Sequence, residues 1–347
     1  MSLAMNHAKE IGKKEAMDFL KSHKRFLLVG HEHPDGDDVG SICALHNVLV
    51  SMGKEADMLL PDPVPKVYTL VKASALVHTS IPEGRVYDAI VFTDLSNLER
   101  GGNFDFPRDI DSLSIDHHRT NERFTDLLYL QYRYAATAEM LAEMFFDEGI
   151  EMDEDTCNAL YMGIGTDSGF FKFSCTSPHT LLMASQLVAM GADPSYISNH
   201  LEEKSIEAMH CYELVAKTVH SFADGKIVIA YMDQDAMALD GENSDYYASI
   251  PRCIRGCEIA ALFKYRKEGE TRVSLRSKNY ANVAELAGEF GGGGHWKAAG
   301  CTIEGGFTEA VCFIFWLESW QAFCSCTSQD TVLQAQRHFS EKVSFLR

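Results

Sequence analysis

The sequence predicts an α/β protein: an N-terminal doubly wound, mostly parallel sheet with helices on both faces, and a smaller C-terminal mixed α+β domain. Three observations predict it. Short apolar runs alternate with helical patterns through the first half; after Gly225 the alternation gives way to closely spaced β runs with one short helix. The length, 347 residues, suits two domains of ordinary size.

The first run, Phe26–Gly30, reads FLLVG and suits a strand buried on both faces. After His31–Asp38, residues Val39, Ile42, Cys43, Leu45 and Leu49 fall on one face of a helix that closes near Gly53. Ala56–Leu60 is a second strand, and Pro61, Pro63 and Pro65 prevent its continuation. Val86–Phe92 and Leu113–Ile115 are further strands, with helices over Ala136–Phe146, Thr156–Ile164 and Pro178–Met190. One helical stretch, Tyr196–Phe222, ends at the turn Ala223-Asp224-Gly225. Lys226–Met232, Glu258–Tyr265 and Thr271–Arg276 are β runs, the last two joined through the glycine-containing Arg266–Glu270. Helix Asn282–Phe290 runs into Gly291-Gly292-Gly293-Gly294-His295. The expected limits are a first domain over 1–195, a helical connector over 196–222 and a second domain over 223–347.

Composition excludes several classes. Thirty-one basic against 50 acidic residues give a net charge of −19, which repels the phosphate backbone of long nucleic acid. Small phosphorylated ligands stay open, because bound divalent ions reverse the sign locally. The longest apolar stretch, Ala310–Leu317, is far short of a membrane span, and Met1–Leu20 lacks the apolar core of a signal peptide. Ten irregularly spaced cysteines form no zinc pattern and suit the reducing cytoplasm.

The chemistry-bearing residues follow strands. His31, Asp35 and Asp37 come after the first strand in HEHPDGD, Asp94 ends VYDAIVFTD, Asp116, His117 and His118 follow LSI, and Asp167 lies in GIGTDSG after a helical run. Ligands of open α/β sheets bind outside the carboxyl ends of strands, so these segments converge. Asp35, Asp37, Asp94 and Asp167 in one place repel unless cations sit among them. With His31 and His117 they form an O/N donor set for two divalent ions, manganese first, with zinc, cobalt and iron also fitting and magnesium less natural. Taken singly, HEHPDGD also reads as a polar turn in which Asp37 or Asp38 caps the next helix. Asp94, the Asp116-His117-His118 run and Asp167 each also read alone as loop residues. It is their order in one chain that favours the metal reading.

HEHPDGD, Asp94, Asp116-His117-His118 and GIGTDSGFF, in that order, resemble the four motifs of the DHH phosphoesterase superfamily. TRVSLRSK and GGGGHWKAAG resemble its DHH-associated C-terminal domain, so the likeness runs from Arg25 to Ile303. It is strongest to the two-domain branch of oligoribonucleases and phosphatases of 3′-phosphoadenosine-5′-phosphate (pAp); close relatives hydrolyse the dinucleotides derived from cyclic di-AMP. The resemblance implies that His31 and Asp35 hold one ion, that Asp37, His117 and Asp167 hold the other, and that Asp94 bridges them. It implies a metal-bridging hydroxide as nucleophile, Asp116 orienting the neighbouring imidazole, and His118 facing the phosphate as a donor. The second motif, TDLSNLER, matches loosely around its Asp, which leaves Arg100 unassigned, and the tail Glu304–Arg347 departs from the family's usual ending.

In the second domain the run Gly292, Gly293, Gly294 offers backbone N–H groups to a phosphate and His295 adds a side-chain donor. Ser274 and Arg276 share a strand face, where Arg276 suits a second phosphate. One phosphate cut and another anchored predict a limit on substrate length. The expected activity is therefore two-metal hydrolysis of short oligonucleotides such as pApA and of pAp, with no membrane partner. A homodimer is what the family resemblance implies. Inorganic pyrophosphatase is disfavoured by the glycine loop, and a RecJ-type exonuclease by the acidic charge and the lack of an OB-like domain. A non-catalytic nucleotide-binding module is the alternative from another class, weakened because all six ligand candidates are present.

Overall fold

The computed structural model describes residues 8–304, except 108, 242, 243 and 245. The chain divides into two compact units between Glu203 and Lys204.

The first unit is built on seven strands: β1 (Lys9–Glu10), β2 (Arg25–Val29), β3 (Glu55–Leu59), β4 (Val77–His78), β5 (Ala89–Thr93), β6 (Asp111–Asp116) and β7 (Leu127–Leu130). Their order is β1-β7-β6-β5-β2-β3-β4, and every pairing is parallel. Alternation along β2 explains the two cores. Phe26 and Leu28 face one side and Leu27 and Val29 the other. Helices α1 (Lys13–Ser22), α2 (Gly36–Ser51), α3 (Thr137–Asp147), α4 (Glu154–Asp167), α5 (Pro178–Ala189) and α6 (Pro194–Glu202) contribute to the first core. Cover on both faces is as expected, but its composition differs. Among the described residues the second face is packed by Leu95, Phe106 and Phe124 and by a 3-10 turn, Glu99–Gly101, instead of an α-helix. The β5–β6 connection carries Gly101, Gly102 and Pro107, which do not sustain a helix.

Helix α2 starts where Asp35 accepts the N–H groups of Asp37 (3.0 Å) and Asp38 (3.1 Å), and chain reversal follows at Gly53, φ 74°. Helices α2 and α4 cross closely because both carry glycine at the contact. A Cβ at Gly40 would lie 2.4 Å from the Ala159 carbonyl oxygen, and one at Gly163 2.9 Å from Asp37 Oδ1. In this unit α1 and the strands β1, β4 and β7 went unread in the sequence.

The stretch expected as one connecting helix, Tyr196–Phe222, is instead the end of α6, helix α7 (Ile206–Lys217) and strand β8 (His220–Phe222). The break has a local cause: Glu203 leaves helical geometry (φ −57°, ψ 130°), and the Ser205 hydroxyl caps α7 by accepting Ala208 N–H at 3.1 Å. Helix α7 falls in the second unit with β9 (Ile227–Met232), α8 (Gln234–Asp240), α9 (Ser249–Cys253), β10 (Ile259–Lys267), β11 (Glu270–Ser277), α10 (Val283–Gly288), β12 (Gly293–His295) and β13 (Ala298–Glu304). The sheet order is β12-β13-β11-β10-β9-β8, with β9 and β10 parallel and the rest antiparallel. One face, with Ile229, Phe263 and Leu275, packs on α10; the other, with Ala230 and Leu262, packs on α7 and on the buried Tyr247. Tyr247 is thus a core residue. The aromatic tail after Ile303 lies, beyond Glu304, outside the described residues.

Candidate metal centre

Parallel strands end at one edge, and that edge gathers the acidic and imidazole residues of the first unit. Gly30 ends the β2 run because a Cβ there would lie 2.0 Å from Asp38 Oδ1; Asp38 Oδ2 accepts the His31 N–H at 3.1 Å. That bond fixes the start of HEHPDGD. Asp94 follows β5 in the left-handed region, φ 57°, which costs about 1 kcal/mol or more for a side chain other than glycine. Its N–H donates to the Ile115 carbonyl at 3.1 Å, so the adjacent β6 holds the strained turn.

Two ligand groups meet at Asp94. His31 Nε2 lies 3.9 Å from Asp35 Oδ2 and 3.7 Å from Asp94 Oδ2. His117 Nε2 lies 3.3 Å from Asp167 Oδ2, 3.5 Å from Asp94 Oδ1 and 3.9 Å from Asp37 Oδ2. Within each of the sets His31–Asp35–Asp94 and Asp37–His117–Asp167, one donor atom per residue lies within 4.8 Å of the others. All six candidates are therefore brought together. With its Nδ1–H donated to the Glu32 carbonyl (2.7 Å), His31 keeps its Nε2 lone pair for a ligand. Arg100, unassigned from sequence, approaches the same Nδ1 at 2.9 Å.

The donor chemistry fits cations. His117 Nε2 is buried and has no hydrogen-bond partner. Burial and the nearby His118 lower the His117 pKa, leaving the neutral ring that ligation requires. Burial, with Asp37 next in effect, pushes the Asp94 carboxyl well above the usual carboxylate range; burial with Asp37, Asp35 and Asp94 does the same to Asp167. Carboxyl groups so placed keep their charge beside bound cations and not otherwise.

Asp116, at the end of β6, serves His118. Its Oδ1 lies 2.7 Å from His118 Nδ1 and accepts the His118 N–H at 3.0 Å, while Oδ2 accepts Asn121 Nδ2–H at 2.7 Å. Burial works against the imidazolium, but the Asp116 bond and the charges of Asp94 and Asp35 outweigh it and push His118 up to about 9. Sequence reading missed Asn121 and also Thr137, whose hydroxyl donates to Asp94 Oδ1 at 2.9 Å. Neither sits in a pattern that marks chemistry; the partners of Thr137 and Asn121 are visible only in three dimensions.

In the second unit, register places Ser274 opposite Leu262 and Gly300, and Arg276 opposite Ala260 and Ala298, so Ser274 and Arg276 do share a face. The glycine run is more ordered than a loop: Gly293, Gly294 and His295 form β12, opposite Gly300, Ala299 and Ala298. A Cβ at Gly292 would lie 2.1 Å from the Gly300 carbonyl oxygen, which is why the run needs glycine there. The N–H groups of Gly291 and Gly292 already donate to the carbonyls of Gly288 (3.0 Å) and Ala287 (2.9 Å), closing α10. The expected offer of N–H groups to a phosphate narrows accordingly to the residues after Gly292.

Residues 25–164 match the DHH family, N-terminal domain, and residues 224–314 match the DHHA1 domain. The chain is 30% identical over 275 residues to the bifunctional oligoribonuclease and PAP phosphatase NrnA of Thermus thermophilus, covering 79% of this chain and 83% of that protein. The protein of the same name from Bacillus subtilis is 24% identical over 297 residues, covering 84% and 93%. The crystal structure of an exopolyphosphatase-related protein from Bacteroides fragilis superposes with a TM-score of 0.84 over 90% of this chain and 97% of that one, at 21% identity. That last likeness is one of fold.

Proposed function

This chain belongs to the DHH family of phosphoesterases, with a DHHA1 domain after the DHH domain, and on that premise we propose that it is a two-metal hydrolase of short oligonucleotides such as pApA and of pAp. The observation that carries the reading is Asp94, whose Oδ2 faces His31 while Oδ1 faces His117. A carboxylate with its two oxygens aimed at two imidazoles suits a bridge between ions, one held by His31 and Asp35, the other by Asp37, His117 and Asp167. Two divalent ions, manganese by the donor set, would supply Lewis-acid charge at the scissile phosphate and an activated water.

The chain's own residues do the rest. Asp116 fixes His118 through Nδ1, which leaves Nε2 as the ring atom that would donate to a phosphate oxygen or to the leaving group. The hydrogen bond to Asp116 and the nearby acidic groups favour the charged ring of His118 over the opposing effect of burial. In the second unit Arg276, Ser274 and the Gly293–His295 strand would hold a terminal phosphate, with Gly292 giving the close turn that the strand needs. The names of the relatives support both substrate classes. Free cysteines among the described residues suit the cytoplasm, and a homodimer is what the family resemblance implies.

Turnover with manganese on pAp, pApA, a 5′-labelled ladder of increasing length and intact cyclic di-AMP tests the reading. Hydrolysis of pAp and dimers that falls steeply with length is expected. Activity that grows with length would overturn the short-substrate reading. Nucleotide binding without hydrolysis under any divalent metal would make the protein a binding module.

A further inference from the structure

Helix α3 begins at a residue that cannot cap it. Ala136 stands at the N-cap and has no side-chain acceptor for the first-turn N–H groups. The acceptor comes from another element. Asp37, on α2, takes the Thr137 N–H on Oδ2 at 2.6 Å and the Ala138 N–H on Oδ1 at 2.8 Å. The same Thr137 donates its hydroxyl to Asp94 Oδ1 at 2.9 Å. Thr137, Asp37 and Asp94 are all buried. One residue thus holds two carboxylates that arrive from separate elements, Asp37 in the first turn of α2 and Asp94 after β5.

We propose that Thr137 is a positioning residue for the dinuclear centre, its hydroxyl fixing the plane of the Asp94 carboxylate so that each oxygen serves a different ion. The inference rests on the two-metal reading above. The Cγ torsion of an aspartate has broad, shallow wells, so packing alone leaves its carboxylate plane loosely set. A bridging role needs a definite plane, because a rotated carboxylate would present both oxygens badly. A hydroxyl donor on one oxygen removes that freedom and still leaves Oδ1 acceptor capacity for an ion on the His117 side. Thr137 is suited to it by its place in the helix. At the first helical position no preceding turn offers a carbonyl to the hydroxyl, which is therefore directed outward to Asp94. Its N–H on Asp37 ties the second ligand to the same point, so the spacing of Asp37 and Asp94 is set by one backbone position.

Calorimetric titration of the metal-stripped full chain with Mn²⁺ tests this, using Thr137→Val, which removes the donor at nearly constant shape, and Thr137→Ser, which restores it. The wild type is expected to bind two ions. In Thr137→Val both ions should weaken, by about 10–100-fold, the range for lost partners of metal ligands. Thr137→Ser should bind both as the wild type does. Circular dichroism and melting in chelator show whether the valine variant folds, and Thr137→Ala replaces it if it does not. A folded valine or alanine variant that binds both ions with wild-type affinity would overturn the proposal and leave the two-metal reading standing. A serine variant weakened as much as valine would overturn it too, by assigning the effect to packing of the methyl group. Fewer than two ions on the wild type would remove the two-metal reading itself, and the role of Thr137 with it.

Discussion

Asp94 is the residue on which the proposed chemistry turns, and its surroundings give a direct expectation for its removal. Asp94→Ala deletes an oxygen from each ligand group and leaves His31 and His117 facing a gap. Loss of several kcal/mol of transition-state stabilisation is about a thousandfold in rate or more. Turnover on pApA with manganese, read beside the metal content of the purified variant, checks it; unchanged turnover would sink the assignment. Glu258 makes a second residue-level case, in the other unit. This buried carboxylate accepts N–H groups from Tyr280 (2.7 Å), Ala281 (2.9 Å) and Asn279 (3.1 Å), and the Asn279 side chain at 2.9 Å. It pins the turn between Arg276 and α10. Burial raises its pKa, but those donors outweigh burial and hold the carboxyl below the ordinary glutamate value. A lowered folded pKa means stability that is complete above the unfolded value of about 4.3 and lost as pH falls through the folded one. Glu258→Gln should therefore lower stability by about 2–3 kcal/mol at neutral pH, with the gap to wild type closing below about pH 4. Urea denaturation across pH measures both, and a gap that persists in acid would mean that the charge is not its source. Residues of this second kind were illegible in sequence. The motif acids stand in short motifs after strands or, for Asp167, at the end of α4, whereas Glu258 and Thr137 act on partners that are distant along the chain or outside any pattern.

At the scale of elements, the site depends on how closely three helices approach. Gly163 lies where α4 meets α3 and α2: a Cβ there would sit 2.6 Å from Ala138 Cβ and 2.9 Å from Asp37 Oδ1. Both neighbours are parts of the clamp on Asp37, so Gly163→Ala cannot be relieved without moving α3 or the carboxylate. Overpacking of this kind costs about 1–3 kcal/mol. The melting temperature should fall, and the gain in stability on adding manganese should shrink because Asp37 is displaced. Thermal melts with manganese and with chelator separate the two effects; a lower melting point with an unchanged manganese increment would place Gly163 in packing alone. The elements themselves were legible to different degrees for physical reasons. Strands β2 and β5 and helix α2 carry dense apolar runs closed by glycine, proline or aspartate. The two-residue β1 and β4 have no periodicity to read, and the divided stretch from α6 to β8 looked continuous because the break is a single serine cap in a polar helical pattern.

For the whole molecule, the division into two units with separate cores predicts that metal acts on one of them. Leu28, Val91 and Ile115 belong to the core beneath the acidic edge, while Ile229, Phe263 and Leu275 form a different core around α10. Every proposed ligand lies before Glu203, so ions held by those side chains would bind the first unit alone. A ligand bound to the native state alone stabilises it by about 2.7 kcal/mol at a hundred times its dissociation constant. That increment should reach only amides whose opening breaks the metal site. Hydrogen exchange of the full chain with and without manganese should show stronger protection at the ends of β2, β5 and β6 and along α2 and α4. The strands β9 to β13 should exchange unchanged. Equal protection in both units would mean that they open as one cooperative body despite their separate cores. Absence of any protection in the first unit, at saturating manganese, would remove the metal centre from it.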